Sequence, residues 1–384
     1  MKIIFVMVNM AGGGAERVIS ILANRFVKLG NQVAILMTAG DTVAYELDPA
    51  IELFCAGSVS GGSMKKRLER IKNMRCFLKK NRDAVLVSFG PGTSFFTVLA
   101  DLFLDHPLCI SERNDPAACG HPYLRNLIYA RADRLVFQTE DAMQSFPEKL
   151  RKKGCVIPNP VMKGLPSAFV GEREKTIVAV GRLQPQKNYG MLLKAFARFY
   201  KKYPEYSLHI YGKGEMLEEL QKEAQQLQID TAVVWEGFRK DVLSCILSAG
   251  MYVLPSNYEG ISNALLEAMA IGLPVISTDC PIGGSKMCIQ DGKNGLLVPC
   301  GEEEKFAEAM MRLAEDREYA DALGKRGGKY PQQLFRRNHQ PKMVGGIIGN
   351  KKIRKETIIT GDGKCGFYML RRDIIQIRFR SYAD

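Results

Sequence analysis

Tryptophan and histidine are scarce in this chain, with one Trp and four His in 384 residues. The ten cysteines contain no Cys-x-x-Cys pair and no Cys/His cluster at ligand spacing, which excludes a structural zinc site or a dithiol redox centre as the organising chemistry. Long apolar runs are missing as well. Residues 3–8 run straight into Gly12, Gly13 and Gly14, and Asp101 interrupts residues 95–104, so neither stretch reaches membrane-spanning length. No signal-peptide pattern opens the chain, and the thiols read as reduced cytosolic core fillers. What remains is ordinary for a globular protein, with 46% hydrophobic and 25% charged residues in a chain long enough for two domains.

Acidic residues run short in two places. The net charge of +13 resides in residues 1–170 and 332–384, while residues 171–331 are close to neutral. Between Met64 and Arg82, nine basic residues stand against Glu69 alone. Met64, Leu68, Ile71, Met74 and Leu78 recur there at helical spacing, with Lys65, Lys66, Arg67, Lys72 and Lys79 on other faces. Two readings stay open: a surface helix of its domain, or a helix that settles on an anionic lipid surface. The aromatic interleaving of a nucleic-acid face is lacking.

Short β-rich apolar runs alternate with helical stretches throughout. Strands are expected at 2–8, 32–37, 84–88, 108–111, 135–138 and 154–157, and again at 176–180, 207–211, 233–236, 251–254, 274–277 and 295–298. Such alternation predicts an α/β protein with two doubly wound parallel sheets. Pro158, Asn159, Pro160 and Pro166, followed by a charged run at 172–175, mark the linker. The expected domains are 1–165 and 166–331, with a ligand cleft at the carboxyl ends of both sheets.

Glu259 and Glu267 bracket the most informative stretch. An apolar strand ending at Leu254 leads through a polar turn with Gly260, Ser262 and Asn263 into a helix, which Gly272 ends before Pro274. A fresh helix N-terminus offers free N–H groups and a positive dipole to a diphosphate, and a carboxylate two turns along can hold a ribose diol. Spacing alone reads the two Glu as solvated helix residues; the strand–turn–helix context turns them toward a nucleotide-sugar site. Gly181, Arg182 and Leu183 leave another strand, with Lys187 and Asn188 just before a helix. Two cations thus converge where the charge of a leaving diphosphate grows, although by spacing alone they are solvated loop residues. Gly212 and Gly214 close a third strand and suit close backbone approach, a weak signal by itself. The turn Gly12-Gly13-Gly14-Ala15-Glu16-Arg17 follows the first strand without Gly-x-Gly-x-x-Gly spacing, which disfavours a dinucleotide cofactor. Its glycines still admit a ligand to the backbone.

In combination these pieces resemble glycosyltransferase family 4, the retaining GT-B enzymes built from two Rossmann-like domains. The matching residues are Gly181-Arg182-Leu183 with Lys187-Asn188, Tyr211-Gly212-Lys213-Gly214-Glu215, Trp235-Glu236-Gly237-Phe238, Glu259-Gly260 with Glu267, Gly272-Leu273-Pro274, Thr278-Asp279-Cys280-Pro281 and Asn294-Gly295. The first half is similar to the pgl-type N-acetylgalactosamine transferases, through Gly13-Gly14-Ala15-Glu16-Arg17-Val18 and Ser111-Glu112-Arg113-Asn114-Asp115-Pro116.

The resemblance implies transfer of a hexosyl or N-acetylhexosaminyl group from a UDP-sugar to a glycan acceptor, with retention, in cell-surface polysaccharide or glycoprotein glycan synthesis. It implies that Arg182 and Lys187 hold the donor diphosphate, that Glu259 contacts the transferred sugar and that Glu267 binds the ribose. Gly260, Ile261, Ser262 and Asn263 would offer backbone N–H groups to the phosphates. Gly181, Gly212, Gly214 and Phe238 would also lie at the donor, with Gly13 and Gly14 shaping the floor. Where many members carry a His after the fourth strand, this chain has Glu112-Arg113-Asn114, which leaves Glu112 and Arg113 as acceptor-side candidates. No Asp-x-Asp occurs, so no metal is expected, and no cofactor beyond the UDP-sugar substrate. A lipid-linked acceptor would suit the basic stretch from Met64 to Arg82 and place the protein in the cytoplasm, peripheral on the inner face of the cell membrane.

Past Tyr330 the pattern breaks. Residues 332–384 hold 12 basic against four acidic residues and lack the amphipathic period of the closing helix that the resemblance implies. Read one base out of frame with permitted codons, residues 334–349 give FSEEIINQKWWEELLG, the ending the resemblance implies. Met343-Val344 must be encoded ATG-GT, which supplies a shifted Trp codon. The expectation is an aberrant basic tail over 332–384, out of frame and poorly ordered, from a frameshift between Gly327 and Gln333. A divergent or disordered extension is the other reading. The alternative function that follows is a catalytically impaired sugar-nucleotide-binding protein.

Overall fold

The computed structural model describes residues 1–57, 64–160 and 164–337. Continuous apolar runs become parallel strands covered by helices on both faces, as in β1 (Lys2–Met7), where five of six residues are buried. With it, β2 (Gln32–Met37), β3 (Glu52–Cys55), β4 (Val85–Phe89), β5 (Leu108–Ser111), β6 (Arg134–Phe137) and β7 (Gly154–Val156) form a seven-stranded sheet ordered β3-β2-β1-β4-β5-β6-β7. A six-stranded sheet follows from β8 (Thr176–Val180), β9 (Ser207–Tyr211), β10 (Val233–Gly237), β11 (Met251–Leu254), β12 (Val275–Asp279) and β13 (Leu296–Pro299), ordered β10-β9-β8-β11-β12-β13. Helices α1 (Gly14–Lys28), α2 (Met64–Lys80), α3 (Pro91–Asp101), α4 (Pro122–Tyr129), α5 (Glu140–Gln144) and α6 (Glu148–Arg151) belong to the first set. Helices α7 (Tyr189–Tyr200), α8 (Leu217–Gln226), α9 (Val242–Cys245), α10 (Asn263–Ala270), α11 (Gly284–Cys288), α12 (Glu303–Glu315) and α13 (Arg317–Arg337) complete the second.

Both orders reverse direction once, between β1 and β4 and between β8 and β11. Chain leaving a sheet on either side of such a reversal opens a crevice at the strands' carboxyl ends. The turn of Gly12, Gly13 and Gly14 leaves β1, Gly181 and Arg182 leave β8, and residues 255–262 leave β11. The topology therefore delivers most of the expected site residues to two facing crevices. The expected α/β architecture of two doubly wound sheets is the observed one.

Two elements differ from the sequence reading. β3 was not foreseen: it is an edge strand with three of four residues exposed, so it carries no buried alternation to read. The apolar stripe of α2 is not one face. Met74, Phe77 and Leu78 enter the core, whereas Met64 and Leu68 stand 68% and 60% exposed. Among the described residues no helix is long and apolar enough to cross a membrane. At the other end, α13 approaches the turn after α10 so closely that a Cβ on Gly324 would lie 2.2 Å from the Gly272 carbonyl oxygen. The expected out-of-frame tail lies outside the described residues except for the backbone of 332–337, the last turns of α13.

Candidate active site

The second sheet contributes charge and a helix end. Ser262 caps α10, its Oγ accepting from Leu265 N–H at 3.4 Å. The N–H groups of Ser262, Asn263 and Ala264 make no hydrogen bond among the described residues, as expected of a first helical turn awaiting an acceptor. Lys187 and Glu259 form an ion pair, and Ser256 Oγ donates to the same Glu259 oxygen at 3.1 Å. Gly181 lies against this pair: a Cβ there would meet Lys187 Cε at 2.8 Å and displace the lysine side chain. Arg182 is exposed, and its guanidinium makes no hydrogen bond or ion pair among the described residues. Its charge reaches Glu16 on the opposite sheet's α1, where burial nevertheless holds the carboxyl above its ordinary value.

Three contacts carry the first sheet onto this helix end. Arg17, in the first turn of α1, donates from Nη1 to Glu267 Oε2 at 2.8 Å. Asn263 Nδ2 donates to the Gly14 carbonyl at 2.9 Å, and Tyr45 Oη holds the neighbouring Gly13 carbonyl at 2.9 Å. Glu267 is 3% exposed. Burial pushes its carboxyl up to about 7, with the Arg17 charge and hydrogen bond opposing that rise.

The third contact is Asn159, which the sequence reading left in the linker. Its Oδ1 accepts from Gln138 Nε2 at 2.7 Å and from Arg113 Nη2. Its Nδ2 donates to the Ile261 carbonyl at 2.8 Å and to Asn263 Oδ1 at 2.7 Å. All four hydrogen-bonding positions of the amide are filled. Gln138 in turn accepts from Ile261 N–H at 3.3 Å, and no Cβ fits on Gly260, which would place one 1.8 Å from Gln138 Oε1.

These bonds revise several expected roles. Ile261 cannot offer its N–H to a phosphate while Gln138 holds it; of the four expected donors, Gly260, Ser262 and Asn263 keep N–H groups without an acceptor among the described residues. Glu112 and Arg113 face protein. Glu112 Oε2 accepts from Tyr129 Oη at 2.7 Å and Oε1 from Arg113 N–H at 2.9 Å, and burial raises its carboxyl. Arg113 packs over the Phe89 ring at 5.3 Å, and burial lowers it to about 10. Through these contacts both hold the loop after β5. The close approaches permitted by Gly212 and Gly214 are to the neighbouring loop, where added Cβ atoms would meet the Gly181 and Leu183 carbonyl oxygens at 1.8 and 2.2 Å. Phe238 lies 51% exposed beyond the edge strand β10, with β9 between that strand and β8. Sequence reasoning missed Arg17, Gln138 and Asn159. Only Arg17 had a local signal, in the turn that carries Gly13 and Gly14.

The comparisons with known proteins agree with this geometry. Residues 166–330 match the family described as glycosyl transferases group 1. An uncharacterized glycosyltransferase of Haemophilus influenzae is 28% identical over 324 residues, covering 83% of this chain and 91% of the relative. A Campylobacter jejuni enzyme is 28% identical over 334 residues, covering 84% and 91%. Its name gives it as an alpha-1,4-N-acetyl-D-galactosaminyltransferase acting on a GalNAc-containing saccharide on diphospho-undecaprenol. Among solved structures, Anabaena HepE in complex with UDP and glucose superposes with a TM-score of 0.77 at 17% identity, over 88% of this chain and 98% of that one. The fold is GT-B.

Proposed function

We propose that this chain, whose residues 166–330 match the glycosyl transferases group 1 family, moves a hexosyl or N-acetylhexosaminyl group from a UDP-sugar to a hydroxyl of a lipid-linked glycan, with retention and without a metal ion. The bond from the anomeric carbon to the diphosphate oxygen breaks, the acceptor oxygen replaces it on the same face, and UDP and a proton leave. The observation that carries this reading is the meeting of the Lys187–Glu259 pair and the unpaired first N–H groups of α10 at one crevice, with Glu267 one turn into the helix and the Arg182 charge felt at Glu16 on the facing α1. Arg182, Lys187 and the N–H groups of Ser262, Asn263 and Ala264 take the diphosphate, whose charge grows as the bond breaks. Glu267 accepts from the ribose hydroxyls, and Glu259 orients the sugar. The exposed Met64 and Leu68 beside Lys65, Lys66 and Arg67 at the start of α2 suit an anionic membrane surface and support a reading in which the enzyme works at the inner face of the cell membrane.

The test is UDP release by the purified full chain from a panel of UDP-sugars, with a polyprenyl-diphosphate-linked saccharide as acceptor. Retention is read from the anomeric configuration of the product, and metal independence from turnover in excess chelator. Glu267→Ala is expected to weaken UDP binding roughly thirtyfold, the scale of losing hydrogen bonds to a charged group. UDP binding with no turnover on any donor would favour the sugar-nucleotide-binding alternative, and no UDP binding would end the proposal.

A further inference from the structure

Glu267 is reached from the opposite sheet. Arg17 Nη1 lies 2.8 Å from Glu267 Oε2, with the two side chains 19% and 5% exposed. The contact is anchored on both sides: Arg17 N–H bonds the Gly13 carbonyl at 3.0 Å in the first turn of α1, and Asn263, one turn before Glu267 on α10, bonds Gly14. A guanidinium on one carboxylate oxygen leaves the other oxygen, and the remaining lone pair, for hydroxyl donors.

On the reading of Glu267 as the ribose-binding carboxylate, we propose that Arg17 is a positioning residue for the donor nucleotide, acting through Glu267. It fixes the carboxylate's rotamer and favours the anionic form that accepts from both ribose hydroxyls. The groups facing Glu267 support this role. From α1 comes Arg17, from the loop after β2 Tyr45, and from β11 Tyr252; Arg17 alone among them is a cation. Burial already holds the Glu267 carboxyl at about 7 against the opposing effect of Arg17. Without Arg17 the carboxyl rises further, and its protonated form fills one lone pair and turns a hydroxyl acceptor into a donor. Because Arg17 belongs to the other sheet, full donor affinity also requires the crevices to face each other as they do here.

The experiment compares UDP with 2′,3′-dideoxy-UDP, which lacks the ribose hydroxyls, by calorimetric titration over roughly pH 6 to 9. The proteins are the unmodified chain, Arg17→Ala, Arg17→Lys and Glu267→Gln. The unmodified chain is expected to prefer UDP. Arg17→Ala is expected to lose that preference roughly tenfold near neutral pH and regain it as the pH rises, while Arg17→Lys retains most of it. Equal weakening of both ligands by Arg17→Ala at every pH would make Arg17 a mere clamp between the sheets and overturn the proposal. Tighter UDP binding in Arg17→Ala would make it a competitor for Glu267 and overturn it too. If Glu267→Gln keeps the preference for UDP, the ribose reading falls and takes this proposal with it. A lost preference in Glu267→Gln with an unshifted pH profile in Arg17→Ala sinks the proposal alone.

Discussion

The two sides of the cleft use polar residues in opposite ways. On the first sheet, Glu112, Gln138 and Asn159 are buried, and with Arg113 they are bonded to one another, to Tyr129 or to backbone. On the second, Arg182 is exposed with no bonded partner among the described residues, and the first N–H groups of α10 are unpaired. The difference teaches that residue type does not identify the reacting group. A Glu-Arg-Asn segment looks chemical, yet its carboxylate accepts from Tyr129 Oη and from the Arg113 and Asn114 N–H groups and fixes a loop. A group can act on a ligand only if the protein leaves it something to bind with.

The contrast can be broken most decisively at Arg182. Arg182→Ala is expected to slow transfer about a hundredfold while leaving donor KM nearly unchanged, because its charge matters most as the diphosphate departs. The stability of the variant should match the parent. A raised KM with intact kcat would put Arg182 with the ground-state contacts. Asn159→Ala should do the reverse, lowering the urea midpoint by an amount worth about 2 kcal/mol as Arg113 and Gln138 lose their acceptor. An unchanged midpoint with lost turnover would move the first side of the cleft from scaffold to chemistry.

The smallest effect belongs to another buried polar group of the first sheet. His106 is 5% exposed. Its Nε2 faces the Asn81 carbonyl at 3.0 Å, and its Nδ1 faces the Asp101 carboxylate. Two acceptors favour a ring protonated on both nitrogens. Burial alone would lower its affinity for the proton, but the Asp101 bond and charge outweigh burial and raise it. A raised folded value adds stability that is complete below the unfolded value of about 6.5 and fades as pH climbs through the folded value. Urea midpoints should therefore show a downward step above neutrality, absent in Asp101→Asn. A step of opposite sign would mean that the ring is buried neutral.

Most of the architecture was legible because twelve of its strands are apolar runs bounded by polar turns. The edge strand Glu52–Cys55 was not, since water on three of its residues erases the pattern. The helix end before Glu267 was legible from strand, glycine turn and capping serine, all local. The cross-cleft partners were not: Arg17 and Glu267 are 250 positions apart, and Asn159 and Ile261 are 102. No periodicity spans such distances, and the Pro-Asn-Pro segment holding Asn159 reads as linker because its prolines are local signals while its amide bonds are not.

Gly260 draws a last consequence from the packing. Gln138 and the Arg113 carbonyl press on it from one sheet, and its own carbonyl leaves no space for a Cβ on Gly284, which would lie 1.7 Å away. Neither site has room for one more carbon atom. A saturation library of this chain would come back with empty columns at these two positions, whereas Arg182 would accept nearly any replacement and still yield folded protein. Survivors of selection for solubility and survivors of selection for catalysis would thus map to different walls of the same crevice.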